Sequence, residues 1–182
     1  MSSPKYPDLA NFVRDVALQR GKFVLTSGAT SDYYLDGKLI SFDPKGIALT
    51  VEAIRTEIED LALDAVGGMD MGATPIVSAF ALRSFQLGNA IPTFVVRKQV
   101  KEHGTAKPIE GPLPASARVA IIDDVVSTGG SIIKAIVGAR EAGCKVLAAL
   151  AIVDRNLGAH EALAELGVEY RPLVTLADLG IE

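Results

Sequence analysis

Eight consecutive apolar residues lie between Lys145 and Asp154 in the segment KVLAALAIVD. The run has neither helical spacing nor polar alternation, so it reads as a strand covered by protein on both faces. Such a strand needs neighbours of its own kind, with helices above and below. The chain from residue 64 onward supplies them. DAVGG (64–68), PTFVVR (92–97), RVAIID (118–123) and VEYRPLVT (168–175) read as further strands. ATPIVSAFALRSFQLG (73–88), SIIKAIVGAREAG (131–143) and HEALAELG (160–167) read as helices between them. This alternation predicts an α/β fold with a central parallel sheet flanked by helices. In such sheets ligands collect beyond the carboxyl ends of the strands, here 67–73, 97–111, 123–131 and 154–158.

The earlier part of the chain is less regular. Pro7-Asp8 opens a helical pattern in which Leu9, Phe12, Val13 and Val16 share a face, and Gly21 is expected to end it. Residues 22–37 read as two short strands around a Ser-Gly turn. Asp43 is placed to cap a helix that has Pro44 at its first position. Ile47, Val51, Ile54, Ile58 and Leu61 would form one continuous face of it. Residues 98–114 show no periodicity and contain Gly104, Pro108, Gly111, Pro112 and Pro114, which predicts a long exposed loop.

Charge and composition remove several classes. A net charge of −4 argues against binding nucleic acid through the whole surface. Cys144 is the only cysteine, so an intrachain disulfide and a thiolate metal cluster are excluded, and a packing role is expected for it. No apolar run approaches membrane-spanning length, and MSSPKYPDL lacks the apolar core of a signal peptide. The expectation is a soluble cytoplasmic protein of one domain, 1–182, with no membrane partner.

The chemistry concentrates in VAIIDDVVSTGGS (119–131). An apolar strand runs into Asp123 and Asp124, then Val125 and Val126, then the small residues Ser127, Thr128, Gly129, Gly130 and Ser131. Small residues at a helix start let a phosphate approach backbone N–H groups, and the helix N-terminus favours its charge. The carboxylates upstream are placed to accept from sugar hydroxyls or to lie near a divalent cation. Taken alone, an Asp pair before glycines is somewhat better explained by a helix cap and a tight turn. The Lys of a P-loop and the spacing of a dinucleotide fingerprint are both missing. A second feature is the loop RKQVKEHGTAKPIEG (97–111), which gathers Arg97, Lys98, Lys101, His103 and Lys107 in an acidic chain. A mobile cationic loop on the ligand side can close over a polyanionic leaving group.

The pattern of apolar strand, DD and VVSTGGS resembles the phosphoribosyl-diphosphate (PRPP) motif of type I phosphoribosyltransferases. The 97–111 loop resembles the catalytic loop of orotate phosphoribosyltransferases, R-K-x-x-K-x-H-G ending in E-G, at Arg97, Lys98, Lys101, His103, Gly104, Glu110 and Gly111. FVLTSGATSDYYLD is similar to their N-terminal segment, whose paired aromatics, here Tyr33 and Tyr34, lie by the pyrimidine. IVDRN (152–156) resembles a strand-end V-D-R whose arginine, here Arg155, faces the orotate carboxylate. GGMDMGATPI (67–76) resembles the family's glycine-rich pyrophosphate loop. Two departures stand out: relatives often have Lys where Thr26 stands, and near Met71.

The resemblance implies a type I phosphoribosyltransferase fold, with residues 1 to about 40 forming a small hood. It implies transfer of phosphoribose from PRPP to orotate, giving orotidine 5′-monophosphate and pyrophosphate in pyrimidine (UMP) biosynthesis, with Mg²⁺ as cofactor. Lys101, Asp123 and Asp124 would be the catalytic residues. Arg97, Lys98, Lys101, His103 and the whole of Asp123 to Ser131 would bind PRPP. Tyr33, Tyr34, Thr128 and Arg155 would bind orotate. No protein metal ligand is assigned, Mg²⁺ being held mainly by PRPP and water. A homodimer is implied, with the 98–111 loop acting on the neighbouring subunit. Two rivals remain at this point: a phosphoribosyltransferase for another nucleobase, and a non-catalytic PRPP-binding regulator. The regulator is disfavoured because 182 residues leave no room for a basic recognition-helix module.

Overall fold

The computed structural model describes residues 3–24, 30–98 and 108–181. The chain opens with α1 (Pro7–Phe12), which loosens into a π-helical turn over Val13–Ala17. It then enters β1 (Leu18–Val24), which pairs antiparallel with β2 (Thr30–Leu35). The helix expected to reach Gly21 therefore stops at Ala17. Gly21 lies inside β1, at the register shift between Arg20 and Phe23, with φ +154°. Val16 is 40% exposed, so the apolar stripe gives out before the glycine, and strand pairing takes over. The expected Ser-Gly turn, Ser27-Gly28, lies outside the described residues.

A short helix absent from the sequence reading, α2 (Lys38–Ser41), links the hairpin to α3 (Pro44–Glu57). Asp43 caps α3: its Oδ1 accepts from Lys45 N at 2.8 Å and Gly46 N at 2.9 Å. Caps of this kind contribute about 1 kcal/mol. Val51, Ile54 and Ile58 are buried as expected, but α3 ends at Glu57, and Leu61 packs on the core from the turn beyond.

The main sheet has six strands in the order β5-β4-β3-β6-β7-β8. Its elements follow in chain order as β3 (Ala65–Met69), α4 (Thr74–Gln86), β4 (Thr93–Val96), β5 (Ile109–Glu110), β6 (Arg118–Val126), α5 (Gly130–Glu141), β7 (Lys145–Asp154), α6 (Ala159–Glu165) and β8 (Glu169–Thr175). All neighbours are parallel except β4 and β5. The edge strand β5 is a correction, since the whole of 98–114 read as loop. A second correction concerns β6, which continues through both aspartates to Val126 rather than stopping at Asp123. Val125 and Val126 pair with Val153 and Asp154 of β7, and that pairing holds the carboxylates in extended backbone.

The two faces of the sheet bury separate cores. Ala120 and Ile122 face one core with Ile76 and Phe80 of α4 and Ile54 of α3. Val119 and Ile121 face the other, with Ile132 and Ile136 of α5 and Leu163 of α6. Successive side chains of one strand thus serve opposite layers, which is why β6 and β7 read as unbroken apolar runs. Cys144 is buried in the second core. No helix among the described residues is long and apolar enough to cross a membrane.

Candidate active site

From β3 the chain moves outward to β4 in one direction, and from β6 to β7 and β8 in the other. The gap beyond the ends of β3 and β6 is the topological switch point, where open α/β sheets place their ligands. The loop after β3 and the two aspartates of β6 meet there. A Cβ on Gly72 would fall 2.8 Å from both Asp123 Oδ1 and Asp124 Oδ1. From the other direction, a Cβ on Gly37 would fall 2.6 Å from Asp124 Oδ2. Two glycines on separate segments are therefore pressed against one carboxylate pair. Gly72 falls in the 67–76 segment whose glycine pattern resembles a pyrophosphate loop, whereas Gly37 was missed, because its segment carries no pattern that announces what it touches.

The pair is internally ordered. Asp123 Oδ1 accepts from Asp124 N at 3.0 Å, and Asp124 Oδ1 accepts from Val125 N at 2.8 Å. Asp123 is only 5% exposed, and Asp124 is half-buried. Burial, reinforced by the charge of Asp124, pushes the Asp123 carboxyl up to about 7. The hydrogen bond from Asp124 N and the positive charge of Lys38 oppose that rise. Lys38, whose ammonium lies 3.9 Å from Asp36 Oδ1, was not among the expected site residues.

Beyond Val126, the turn Ser127–Gly129 leads into α5. Gly129 caps the helix in the left-handed region at φ +87°, where a side chain would be strained. A Cβ on Gly130 would meet nothing within 4 Å among the described residues, and the first N–H groups of α5 have no partner within the helix. Thr128 and Ser131 are exposed beside it and Ser127 is half-buried. The strand, carboxylates and glycine turn expected from sequence are thus contiguous in space.

Arg155 follows β7 immediately, and its N–H donates to Val126 O at 2.8 Å. Its guanidinium carbon lies 5.0 Å from the centroid of the Tyr33 ring. Its Nε is buried and has no hydrogen-bond partner among the described residues. Tyr33 therefore joins Arg155. Tyr34 turns to the opposite face of β2, 40% exposed, with its ring 5.6 Å from that of Phe23. The strand alternation separates the two tyrosines, so they do not share one contact.

The cationic loop is described only at its roots. Arg97 is tied down: its N–H donates to Pro108 O at 2.8 Å, and its guanidinium pairs with Glu110 at 3.1 Å. Lys98 is exposed. Lys101, His103 and Lys107 lie outside the described residues, as does Thr26. On the pyrophosphate-type loop, Met71 is 60% exposed and joined to Asp70 by a cis peptide bond. Asp70 Oδ1 accepts from Thr74 Oγ1 at 2.8 Å.

Comparison with known proteins agrees with this arrangement. Residues 45–165 match the phosphoribosyl transferase domain family. The orotate phosphoribosyltransferase of Rhodopseudomonas palustris (strain BisB5) is 41% identical over 169 residues, 91% of this chain and 90% of that protein. The crystal structure of Mycobacterium tuberculosis H37Rv orotate phosphoribosyltransferase in complex with Fe(III) dicitrate superposes with a TM-score of 0.86 at 34% identity. It covers 98% of this chain and 100% of that one. The same enzyme in complex with PRPP gives a TM-score of 0.82 at 32% identity, with coverage of 98% and 100%. By sequence, by fold and by the carboxylate–glycine cradle at its switch point, the chain belongs to the phosphoribosyltransferase family, in its orotate phosphoribosyltransferase branch.

Proposed function

We propose that this site transfers the phosphoribosyl group of PRPP to orotate, releasing pyrophosphate and forming orotidine 5′-monophosphate. The observation that carries the reading is one juxtaposition. A sugar-phosphate cradle, Asp123 to Ser131, lies beside an arginine whose guanidinium is stacked near an aromatic ring and whose Nε is unpartnered. A planar fork suits a carboxylate, and the ring beside it suits a flat heterocycle. Arg155 and Tyr33 are assigned to orotate, with Tyr34 at the hood edge and Thr128 at the boundary with the phosphate.

The remaining roles combine chemistry with what the family resemblance implies. Gly129, Gly130, Ser127, Thr128 and Ser131 bind the 5′-phosphate through N–H and hydroxyl donors, with Val125 and Val126 carrying the backbone into that turn. Asp123 and Asp124 accept from the ribose hydroxyls. Lys101 is the principal catalytic cation over the departing pyrophosphate, with Lys98, His103 and Arg97 around it. The orotate ring nitrogen arrives ionised, so the protein needs no strong base; it positions the reactants and stabilises the shifting charge. Mg²⁺ would be held mainly by PRPP and water, with the Asp123 and Asp124 carboxylates nearby, and would supply positive charge to the departing group.

The reading includes a single domain over 1–182 with a hood up to about residue 40. It also includes a cytoplasmic homodimer in which the 98–111 loop of one copy serves the other. The test is orotate consumption, followed by ultraviolet absorbance with PRPP and Mg²⁺, for wild type and Lys101→Ala. Turnover lost in the variant supports substrate and loop together. Orotate left untouched while PRPP binds sinks the orotate assignment, and a panel of other nucleobases then separates a different acceptor from a PRPP-binding regulator.

A further inference from the structure

Asp154 is the last residue of β7 and is 6% exposed. It carries none of the roles assigned above. Its neighbours in the sheet are Val126 of β6 and Thr175 of β8. Burial raises its carboxyl above the ordinary range, and it forms no salt bridge within the described residues. A purely packed strand end would be better served by an apolar residue, since a buried carboxyl without an ion partner costs free energy. The cost needs a return.

The geometry supplies one. Asp154 Oδ1 accepts from Asn156 N at 2.9 Å, closing a turn that spans Arg155. Asn156 is held in the left-handed region at φ +50°, which Asn tolerates better than most side-chain-bearing residues. Arg155 itself donates its N–H to Val126 O at 2.8 Å. The backbone of Arg155 is thus pinned from both sides: by β6 ahead of its Cα, and by the Asp154 carboxyl behind it. From this corner the Arg155 side chain reaches the Tyr33 ring.

We infer that Asp154 is a positioning residue for the acceptor side of the site: its carboxyl fixes the Arg155 corner and so sets the affinity for the acidic base. The inference rests on the orotate reading of Arg155. What it adds is that the acceptor oxygen of Asp154, rather than its charge, does the positioning. An amide oxygen at the same place should serve, and an apolar side chain should not.

The experiment is steady-state kinetics with orotate and PRPP varied in turn, for wild type, Asp154→Asn, Asp154→Ala, Arg155→Ala and the double variant Asp154→Ala/Arg155→Ala. Asp154→Asn is expected to keep the orotate KM within about threefold of wild type, because its Oδ1 still accepts. Asp154→Ala is expected to raise it about tenfold, with the PRPP KM within twofold. The double variant should be no worse for orotate than Arg155→Ala alone, since the one residue acts through the other. An orotate KM in Asp154→Asn as poor as in Asp154→Ala overturns the inference. So do equal rises in both KM values, or additive losses in the double variant. Should Asp154→Ala not fold, Asp154→Val, suited to a buried strand, makes the same comparison. Wild type that leaves orotate unconsumed counts against the proposed function instead, which keeps the two failures distinct.

Discussion

The guanidinium carbon of Arg155, just past the end of β7 in the main sheet, lies 5.0 Å from the centre of the Tyr33 ring in the two-stranded hairpin. The hairpin and the main sheet meet at this contact. Arg155→Ala is expected to raise the orotate KM about 100-fold, near 3 kcal/mol for a lost charge-assisted pair. Arg155→Lys should recover only part of it, because an ammonium lacks the planar fork. Tyr33→Phe, which keeps the ring, should stay close to wild type, whereas Tyr33→Ala should not. Orotate saturation curves at fixed PRPP check all four variants.

The two glycines against the carboxylates make a steric prediction. A Cβ on Gly37 would lie 2.6 Å from Asp124 Oδ2, so Gly37→Ala must displace either the hairpin segment or the carboxylate. Gly72→Ala meets Asp123 and Asp124 together at 2.8 Å. Each substitution should lower kcat/KM for PRPP about tenfold or more, with a stability loss of about 1–3 kcal/mol. Unchanged PRPP kinetics in both would show that the carboxylates do not need their present positions.

Asp123 sets a pH dependence of stability. Its carboxyl is raised from 3.8 to about 7 in the folded protein, chiefly by burial and then by Asp124. A raised folded value means that its contribution is fully present below the unfolded value and is lost as pH rises through about 7. Asp123→Asn removes the ionisation and keeps an acceptor for Asp124 N. It should therefore melt higher than wild type at pH 8 and close to it at pH 4, while losing activity. Thermal melts at the two pH values decide it, and an equal difference at both would contradict the burial argument.

On the edge strand β8, Arg171 gives the opposite sign. Its guanidinium forks onto Asp60 at 2.7 and 3.0 Å, pairs with Glu169 at 2.9 Å and donates to Glu57 O. Hydrogen bonding to Arg171 lowers the carboxyls of Asp60 and Glu169. Stabilisation from lowered carboxyls is present above their unfolded values and is lost as pH falls through the folded ones. Arg171→Met should lower Tm by about 2–6 °C at pH 7, with the difference shrinking towards acid pH. Orotate kinetics at 25 °C should be unaffected. A Tm difference that is constant down to acid pH would assign the effect to packing alone.

Much of the fold was legible in the residues alone, for a physical reason. Continuous apolar runs such as 145–154 admit few environments, and helix caps such as Asp43 act within three residues of themselves. The cradle 119–131 was legible for the same reason: strand, carboxylates and glycine turn are contiguous in the chain, so local chemistry places them together. Arg155 was singled out only through the resemblance of IVDRN to a family motif, since taken alone it reads as a surface ion-pair residue.

What the chain could not announce are contacts made across it. The helix that yields to a strand at Leu18, the continuation of β6 to Val126 and the edge strand at Ile109–Glu110 all depend on pairing with distant segments. The same holds for what Gly37 and Gly72 touch, for the charge of Lys38 acting on Asp123, and for the separation of Tyr33 from Tyr34. The amino-acid sequence determined which groups are present, and the order of strands and helices. Packing of the hairpin and the 70–73 loop onto the switch point decided which groups meet, and how far burial shifts the carboxyl at their centre. Burial and close approach belong to three-dimensional neighbours, and no local pattern of residues encodes them.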